Sequence, residues 1–402
     1  MENFEEFLKQ STVRGANKVP GAIMAVVDKD GNYIYKNASG YSGVGADAEP
    51  LSFDSTLFVA SCTKVITTIA SLQLVERGIV GLDDPLDDYL PELASQPIVT
   101  QNDDGDFVYH TPTQSVTLRH LITHSSGAAQ DWMTPVLKAW RHSRGEVPVM
   151  LTDGDVAKGC AYPRTSEAGS SWMYTSGLDW ASLLVERLTD TGFEEYVEKH
   201  IIQPLSISSF TWHLSHKPDV AKKLMRMTTR QDDGTLTNST TPIWPDPVKE
   251  GGGSGMYSNV HDFTRVLADL LKDSPTLLKR CSVQEMFTAQ FVPGSSSHKA
   301  LISLAPFSYQ CSVGGSMDGV DANQGLSGLL VTNDVDRDDF FRPKATLAWT
   351  GLPNLLWSIN RERGLALFIA TQVMPWGDSK TWELNKRFET AVWRTMSKVC
   401  KE

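Results

Sequence analysis

The two ends of this chain carry matching strand patterns, and this arrangement constrains the fold more than any other feature of the sequence. Residues 19–28 (VPGAIMAVVD) predict a strand, and an Asp30-Gly31 turn leads into a second strand at residues 33–36. Near the other end, residues 365–371 (LALFIAT) predict another strongly apolar strand. We therefore expect the two ends of the chain to share one sheet.

Helical patterns lie outside these strands. An amphipathic helix is expected near residues 3–12, and a second one near residues 380–399 carries Leu384, Phe388 and Val392 on one stripe. The order of helix, strands, long interruption, strands and helix predicts one lobe built from both ends of the chain. Antiparallel hairpins beside segregated helices favour an α+β fold, with helices flanking a central antiparallel sheet, over a doubly wound parallel sheet.

The domain organisation follows from the same pattern. We expect a discontinuous α/β sandwich lobe formed by residues 1–80 and 255–402, and a mainly helical lobe formed by residues 81–254, with the active site between them. Two segments rich in Asn, Asp, Gly, Thr and Pro, at 96–116 and 228–250, are interpreted as long loops. Loops of this length inside a compact domain are usually functional.

Composition excludes several classes of function. The 402 residues are 41% hydrophobic and carry a formal net charge of −11, which is typical of a soluble globular protein and unfavourable for binding nucleic acid or an anionic membrane. No apolar run approaches the ~18 residues of a membrane-spanning helix. The five cysteines form no Cys-x-x-Cys pair and no metal-ligand spacing with histidine. We therefore predict a cytoplasmic protein with free thiols and no metal site.

The tetrapeptide Ser61-Cys62-Thr63-Lys64 is the strongest candidate for chemistry. Residues three apart on a helix share a face, so the Lys64 amine is placed to take a proton from the Ser61 hydroxyl, which is a weak nucleophile without such help. The apolar segment 65–75 continues the helix, so Ser61 would lie where a loop enters a buried helix. Taken alone, the pattern also fits a helix-capping serine followed by a solvated lysine.

Two further segments offer what a serine nucleophile needs. Tyr174 comes just before the helical run at 178–188, and a tyrosine hydroxyl beside an ammonium group can shuttle protons. An isolated tyrosine is more often a core residue. Residues 348–354 predict an edge strand in which Gly351 allows close approach of a substrate. A backbone N–H from this strand, paired with the Ser61 N–H, would form an oxyanion hole.

Taken in order with the segments 118–127 (LRHLITHSSG) and 251–258 (GGGSGMYS), these motifs resemble the serine β-lactamase and penicillin-binding-protein superfamily. The resemblance covers about residues 18–375 and is most specific for class C β-lactamase-like esterases and transesterases. It implies a β-lactamase-like fold, with a central antiparallel sheet flanked by helices and a mainly helical lobe. Segment 118–127 matches a family hallmark that we interpret as structural, with His120 and His124 hydrogen-bonded in packing.

The resemblance also assigns roles to individual residues. It implies that Ser61 becomes the acyl ester, that Lys64 accepts its proton and that Tyr174 is the tyrosine of the second motif. Ser176 stands where many β-lactamases have a substrate-contacting asparagine, and this difference weakens a contact to a lactam amide. By position, the Leu352 N–H would be the second oxyanion donor beside the Ser61 N–H.

The third motif departs from the family pattern. It reads Trp349-Thr350-Gly351, where the family usually has a cation that holds the carboxylate of a β-lactam. An indole cannot replace that cation but can stack on an acyl chain or a flat ring. We therefore expect an ester or thioester substrate that contacts Trp349, Thr350, Gly351 and Ser176. The amino-acid sequence of this region most resembles that of fungal transesterases of the lovastatin acyltransferase type.

The resemblance thus implies a serine acyltransferase of small-molecule, polyketide-like biosynthesis that needs no metal or organic cofactor. Its partners would be a small-molecule acyl donor and acceptor, and an acyl-carrier protein is a candidate donor. A carboxylesterase that hydrolyses small hydrophobic esters is the alternative, because both reactions share one acyl-enzyme. Cyclisation or elimination at the same site also stays open. A non-catalytic binding protein on this fold would be expected to lack Ser61, Lys64 or Tyr174, and all three are present.

Overall fold

The computed structural model describes residues 1–148, 154–239 and 246–396. Within these ranges the α-helices are Glu2–Ser11 (α1), Thr63–Glu76 (α2), Pro91–Ala94 (α3), Leu118–Ile122 (α4), Pro135–Ser143 (α5), Val156–Gly159 (α6), Gly177–Thr189 (α7), Phe193–Val197 (α8), Pro218–Ala221 (α9), Val260–Leu271 (α10), Arg280–Met286 (α11), Ser296–Ser308 (α12) and Ser379–Thr395 (α13). Short 3₁₀ turns lie at Ala60–Cys62, Leu214–His216 and Cys311–Val313, and a π-helical turn lies at Glu198–Ile202.

The strands of the same ranges are Gly21–Asp28 (β1), Tyr33–Gly40 (β2), Leu57–Phe58 (β3), Ile98–Gln101 (β4), Phe107–His110 (β5), Thr228–Arg230 (β6), Leu236–Asn238 (β7), Tyr257–Ser258 (β8), Ala322–Gln324 (β9), Leu329–Val331 (β10), Val335–Arg337 (β11), Phe340–Arg342 (β12), Thr346–Gly351 (β13), Leu355–Asn360 (β14), Leu365–Ala370 (β15) and Val373–Met374 (β16). Seven of them form one sheet in the order β2-β1-β15-β14-β13-β10-β9.

The central sheet joins the two ends of the chain, as the sequence predicts. Strand β1 pairs antiparallel with β15, in a register that sets Ile23 opposite Ala370, and with β2 on its other side. Every paired neighbour in the seven-stranded sheet is antiparallel. The expected α+β class with a central antiparallel sheet is therefore confirmed.

Helices cover both faces of this sheet, which explains why its inner strands β1 and β15 are apolar along almost their whole length. Alternate residues of β1 belong to two different cores: Ile23 and Val27 pack into the large core that includes α10, whereas Met24 and Val26 pack into the core formed with α1 and α13. Because side chains alternate between the faces of a strand, burial on both faces gives a continuous hydrophobic run. The helices at the two chain ends thus lie together on one face.

Two predictions about the middle of the chain are wrong. The supposed loop at 96–116 contains the hairpin β4-β5, and the supposed loop at 228–250 contains the hairpin β6-β7, to which β16 adds in parallel. Asn, Asp and Gly residues mark the turns of these short hairpins, and the same residue types are also typical of irregular loops, so composition alone does not separate the two. Residues 240–245 of the second segment lie outside the described residues.

Helix α2 is buried from Thr63 to Leu74 and packs against α7. The last helix ends at Thr395, and residues 397–399 of the predicted helix lie outside the described residues. The boundaries predicted for the two lobes stay a prediction, although the helix that carries Lys64 clearly meets the middle region of the chain. None of the helices in the described ranges is long and apolar enough to cross a membrane.

Candidate active site

Ser61 lies in a tight turn between strand β3 and helix α2. The turn requires Ala60 to adopt a left-handed backbone conformation with φ of +46°, which is uncommon for a residue with a Cβ atom. Backbone pairing holds the approach to the turn, because the Val59 N–H donates to the Met256 carbonyl at 3.0 Å. Ser61 is thereby presented at the start of a helical segment, where backbone N–H groups have no intrahelical acceptor.

The structure brings together the three residues that the sequence selects for proton transfer. The Ser61 Oγ lies 2.7 Å from the Tyr174 Oη and 3.3 Å from the Lys64 Nζ. The Lys64 Nζ also lies 4.8 Å from the centroid of the Tyr174 ring. Ser61 and Tyr174 are partly exposed, whereas Lys64 is buried. The hydroxyl that faces solvent is thus in contact with both groups that could take its proton.

A run of three glycines positions the lysine. The Lys64 Nζ donates a 2.5 Å hydrogen bond to the Gly253 carbonyl, and the Thr67 hydroxyl donates to the Gly252 carbonyl at 2.7 Å. A Cβ atom on Gly252 would lie 2.4 Å from the Leu178 carbonyl oxygen, so only glycine fits between α2 and α7 at this point. The sequence shows that this segment is rich in glycine, but it does not reveal that the segment binds Lys64.

Segment 118–127 holds the backbone on both sides of Tyr174 through hydrogen bonds. The Met173 N–H donates to the His124 carbonyl at 3.1 Å, and the Thr175 N–H donates to the His124 Nδ1 at 3.2 Å. The Tyr174 carbonyl in turn accepts from the Gln130 N–H at 3.3 Å. The backbone on both sides of Tyr174 is therefore fixed by the residues of this hallmark and those just after it.

The two histidines of the hallmark are hydrogen-bonded in packing, as predicted. Because the Nδ1 of His124 accepts a backbone N–H, this ring is neutral and carries its proton on Nε2. Burial, together with the positive charge of Lys64, lowers the pKa of His124 well below its usual value. His120 caps α4, since its Nδ1 accepts from the Thr117 N–H at 3.2 Å. The His124 ring also packs on Tyr174, with centroids 4.9 Å apart, a contact that the sequence does not reveal.

Trp349 packs behind Tyr174. Its ring stacks on His124 with centroids 5.4 Å apart and on Tyr174 with centroids 5.9 Å apart, and it meets the edge of Tyr309. The side chain is only 4% exposed, so most of its surface supports other aromatic residues. A substrate contact through the exposed remainder of the indole stays a prediction.

The strand that carries Trp349 is not an edge strand, contrary to expectation. Strand β13 lies between β14 and β10, but β10 pairs only with Thr346–Ala348, so residues 349–351 extend beyond it. Gly351 is needed for packing, because a Cβ atom there would lie 2.6 Å from the Val59 carbonyl oxygen. The turn that presents Ser61 therefore requires glycine at this position, and a substrate contact at Gly351 stays a prediction.

Leu352, the second candidate oxyanion donor, lies close to the turn that carries Ser61. Leu352 directly follows Gly351, the last residue of β13, and packs on the small cluster of Phe58, Ala60 and Tyr257. Because this cluster includes the residue before Ser61, Leu352 packs against the turn that carries Ser61. The role of the Ser61 and Leu352 N–H groups as an oxyanion hole stays a prediction.

Ser176 does not reach the site. Its side chain is fully buried, and its hydroxyl donates to the Ala128 carbonyl at 3.2 Å, at the point where α7 begins. The sequence-based prediction that Ser176 contacts substrate is therefore wrong, since the residue serves the local packing of the Tyr174 segment. Thr350 is partly exposed and stays a candidate for substrate contact.

Glu194, His213 and Glu250 form the single cluster in the described parts of the chain whose side chains could share a metal ion. The His213 Nδ1 lies 2.6 Å from the Glu194 Oε2, and its Nε2 lies 3.1 Å from the Pro247 carbonyl oxygen. Both ring nitrogens therefore face acceptors, as in a protonated imidazolium. The geometry fits an ion pair between His213 and Glu194 better than a set of metal ligands.

A family comparison places this site in context. The model of the Beta-lactamase family matches residues 4–389. The chain belongs to this family. The monacolin J acid methylbutanoyltransferase of Aspergillus terreus strain NIH 2624 is 32% identical over 94% of this chain and 92% of its own length. A lovastatin esterase of Penicillium rubens is also 32% identical, over 94% of this chain and 96% of its own.

The fold agrees with a solved relative over its full length. A LovD6 mutant of simvastatin synthase from Aspergillus terreus superimposes with a TM-score of 0.88 and 30% identity, covering 99% of this chain and 97% of the other. The resemblance to fungal lovastatin-type acyltransferases of the β-lactamase-like family is therefore confirmed. The relatives named above include both an acyltransferase and an esterase, so family membership leaves the acyl acceptor open.

Proposed function

We propose that this protein is a serine acyltransferase that moves an acyl group from an ester or thioester to a small-molecule alcohol. The observation that carries the proposal is the position of the Ser61 Oγ, 2.7 Å from the Tyr174 Oη and 3.3 Å from the Lys64 Nζ. A hydroxyl held between two proton carriers and presented to solvent is a nucleophile ready for acyl transfer.

Acylation begins when the Ser61 Oγ attacks the carbonyl carbon of the donor and its proton passes to the Tyr174–Lys64 pair. The carbonyl oxygen becomes an oxyanion, which the Ser61 and Leu352 N–H groups bind. The tetrahedral intermediate then collapses, the bond to the leaving oxygen or sulfur breaks, and the leaving group takes the proton from the Tyr174–Lys64 pair. The enzyme is left as an ester of Ser61.

Deacylation repeats these steps in reverse order with a new nucleophile. The acceptor hydroxyl gives its proton to the Tyr174–Lys64 pair and attacks the Ser61 ester, and the Ser61 Oγ recovers the proton as it leaves. Each half-reaction uses the same residues, as ping-pong kinetics require. No residue in this sequence of steps needs a metal ion or an organic cofactor.

The third motif favours esters and thioesters over lactams. Trp349 stands where the family usually has a cation, and its indole stacks on both His124 and Tyr174 with 4% exposure. An indole in this position offers no charge to a lactam carboxylate. Leu352 and the other partly buried apolar side chains of its cluster, such as Leu224 and Met227, are instead suited to contact an apolar acyl group.

A carboxylesterase is the second candidate function. The similarity to a lovastatin esterase supports it as strongly, in sequence identity, as the similarity to a methylbutanoyltransferase supports transfer. Both enzymes would share the acyl-enzyme on Ser61, and only the relative access of water and alcohol to that ester would separate them.

The physiological setting belongs to the same proposal. We place the reaction in small-molecule, polyketide-like biosynthesis, with an acyl-carrier protein as the candidate thioester donor. The described cysteines Cys62, Cys160, Cys281 and Cys311 are free thiols, which supports a reducing compartment such as the cytoplasm. Comparing an acyl-carrier thioester with the same acyl group on a short soluble thiol would test the carrier, because a true partner should give a much lower KM.

Intact-protein mass spectrometry tests the central step. Wild type and Ser61→Ala are incubated with p-nitrophenyl esters of varied chain length, and the mass of the acyl group should appear on wild type alone. Candidate alcohols are then added, and formation of the new ester distinguishes transfer from hydrolysis. Full turnover by Ser61→Ala would contradict the proposal, and the absence of any acylation of wild type would favour a non-catalytic binding protein.

A further inference from the structure

Asp179 lies on α7 directly against the glycine segment that binds Lys64. Its Oδ1 accepts the Gly253 N–H at 2.8 Å, and the carbonyl of the same glycine accepts from the Lys64 Nζ at 2.5 Å. One glycine residue therefore connects the carboxylate to the amine. The connection joins residues that are far apart in the sequence, and none of the sequence motifs includes Asp179.

The Asp179 carboxylate packs tightly against both Gly253 and Gly251. A Cβ atom on Gly253 would lie 2.5 Å from the Asp179 Oδ2, and one on Gly251 would lie 3.1 Å from the Oδ1. Asp179 also lies in the first turn of α7, where the helix dipole favours a negative charge. Because Tyr174 comes just before the same helix, α7 positions both the tyrosine and this carboxylate.

The electrostatic surroundings couple Asp179 to the lysine. The net pKa of the partly exposed Asp179 carboxyl is raised above its usual value by desolvation, although the protonated amine of Lys64 and the Gly253 N–H act in the opposite direction. The thiol of Cys160 also faces Asp179, and its pKa is raised well above the usual value by burial and by this carboxylate. Cys160 therefore stays a neutral thiol, and the protonated form of Lys64, once it has taken up a proton, is the positive charge that Asp179 meets.

Among the described residues, the other side chains that meet Lys64 are not carboxylates. Tyr174 lies under its amine, His124 is neutral, and burial raises the pKa of the Cys62 thiol, which is therefore protonated. When Lys64 takes the proton of Ser61, the positive charge that develops in this buried place needs a partner. Asp179 is placed to supply it through the glycine segment.

We propose that Asp179 is a positioning residue for acyl transfer, which holds Gly253 so that its carbonyl orients Lys64 and whose negative charge stabilises the lysine as it takes the Ser61 proton. This inference rests on the proposed acyl-transfer function of Ser61. It adds a fourth side chain to the site, one that acts through Lys64 and does not touch the substrate.

The variant Asp179→Asn tests the charge, because asparagine keeps an oxygen that can accept the Gly253 N–H. Stopped-flow release of p-nitrophenol at pH 8 should show acylation slowed about tenfold to a hundredfold, as expected when one opposite charge is lost at close range. The KM for the ester should change little, since Asp179 has no substrate contact. The pH dependence gives the decisive readout.

Below the pKa of Asp179, wild type carries a neutral carboxyl and resembles the asparagine variant. The ratio of the wild-type rate to the Asp179→Asn rate should therefore fall towards one as the pH is lowered through the raised pKa of Asp179. Titrations that both proteins share cancel in this ratio. A residue that only fills space would give a ratio that does not depend on pH.

Ser182→Ala is the matched control. The Ser182 Oγ accepts the N–H of Gly252 at 2.9 Å, so this variant also removes a bond from α7 to the glycine segment, but without removing a charge. Any loss of rate in Ser182→Ala should be independent of pH. If it reproduced the pH dependence of Asp179→Asn, the charge of Asp179 would not be the cause.

Three outcomes would overturn the proposal: equal rates for Asp179→Asn and wild type at all pH values, a rate ratio that is constant with pH, or a change in KM alone. If Asp179→Asn does not fold, Asp179→Glu and Asp179→Gln share one length and differ only in charge, and the glutamate variant should be the faster above pH 7. If only the proposed role of Asp179 is wrong, wild type will still be acylated on Ser61. If the proposed acyl-transfer function is wrong, Ser61→Ala will keep full activity.

Discussion

Gly351 and Val59 meet so closely that a side chain at position 351 has no room, because a Cβ atom there would lie 2.6 Å from the Val59 carbonyl oxygen. The same atom would lie 3.3 Å from the Cys62 Sγ. The third motif and the turn that presents Ser61 are therefore packed against each other through backbone. This contact fixes the distance between the two walls of the candidate oxyanion hole.

Replacing Gly351 with alanine should displace the Ser61 turn. A shift of this kind, even well below 1 Å at the reacting atoms, is expected to lower kcat/KM about a hundredfold, because acyl transfer depends on near-attack geometry. Steady-state hydrolysis of a p-nitrophenyl ester measures the effect. Gly192→Ala is the control, since nothing lies within 4 Å of a Cβ atom at that position. Wild-type activity in Gly351→Ala would show that the turn tolerates displacement.

Lys64→Ala and Tyr174→Phe should each lower kcat/KM by about 10²–10⁴ if both residues transfer protons. Pre-steady-state measurement with p-nitrophenyl esters checks this, with circular dichroism to show that the variants are folded. Ser176→Ala serves as the control on the same segment, because the Ser176 hydroxyl is buried and bonded to the Ala128 carbonyl. Near-wild-type rates in either Lys64→Ala or Tyr174→Phe would assign that residue to structure.

Trp349→Phe should affect turnover more than substrate binding. The smaller ring loses part of its stacking on Tyr174 and His124, so the tyrosine hydroxyl is held less firmly beside Ser61. We expect kcat to fall about tenfold, with little change in KM. Trp382→Phe, in the core on the other face of the sheet, controls for the general loss of an indole. A large rise in KM with unchanged kcat would instead indicate that the indole binds substrate.

The sequence predicted those parts of the site that depend on local spacing. Ser61 and Lys64 lie one helical turn apart, and that relationship is set by helix geometry whatever the rest of the chain does. The strands near both ends were also recognisable, because burial on both faces leaves a continuous apolar run such as residues 365–370. Tyr174 was found through the order of the motifs, since nothing in its own neighbourhood distinguishes it from a core tyrosine.

The supporting contacts of the site could not be predicted in this way. The acceptor of Lys64 is the Gly253 carbonyl, a backbone group whose position depends on the packing of two helices. Asp179 and His124 likewise act on residues to which no periodic pattern connects them. Ser176 was misplaced for the same reason, because motif position does not show which way a side chain at a helix start will face. Long-range packing decides all four.

The ion pair of His213 should make stability depend on pH. Burial lowers the pKa of His213, but Glu194, the Pro247 carbonyl and Glu250 outweigh it, and the net effect is a pKa above the usual value. A raised folded-state pKa contributes stability that is fully present below the unfolded pKa of about 6.5 and is lost as the pH rises through the folded pKa. His213→Gln should therefore lower Tm relative to wild type more at pH 6 than at pH 9. Equal shifts in Tm at the two pH values would contradict a charged His213.

Arg342 and Glu389 form a buried ion pair that ties strand β12 to helix α13. The Arg342 Nη2 lies 2.8 Å from the Glu389 Oε2 and its Nε lies 2.9 Å from the Oε1, and both side chains are at most 1% exposed. Glu389 also accepts from the Trp393 Nε1 at 3.1 Å. Removing one partner leaves an uncompensated charge inside the protein.

Glu389→Gln should therefore lower the free energy of unfolding by about 3–5 kcal/mol, as measured by urea denaturation. The double variant Arg342→Met/Glu389→Leu removes both charges and should recover much of that loss, because apolar replacements of similar volume are tolerated where a lone charge is not. Arg387→Gln is the control, since its pair with Glu383 is largely exposed and should contribute less than about 1 kcal/mol. A double variant no more stable than Glu389→Gln would show that the loss comes from hydrogen bonding and not from the unpaired charge.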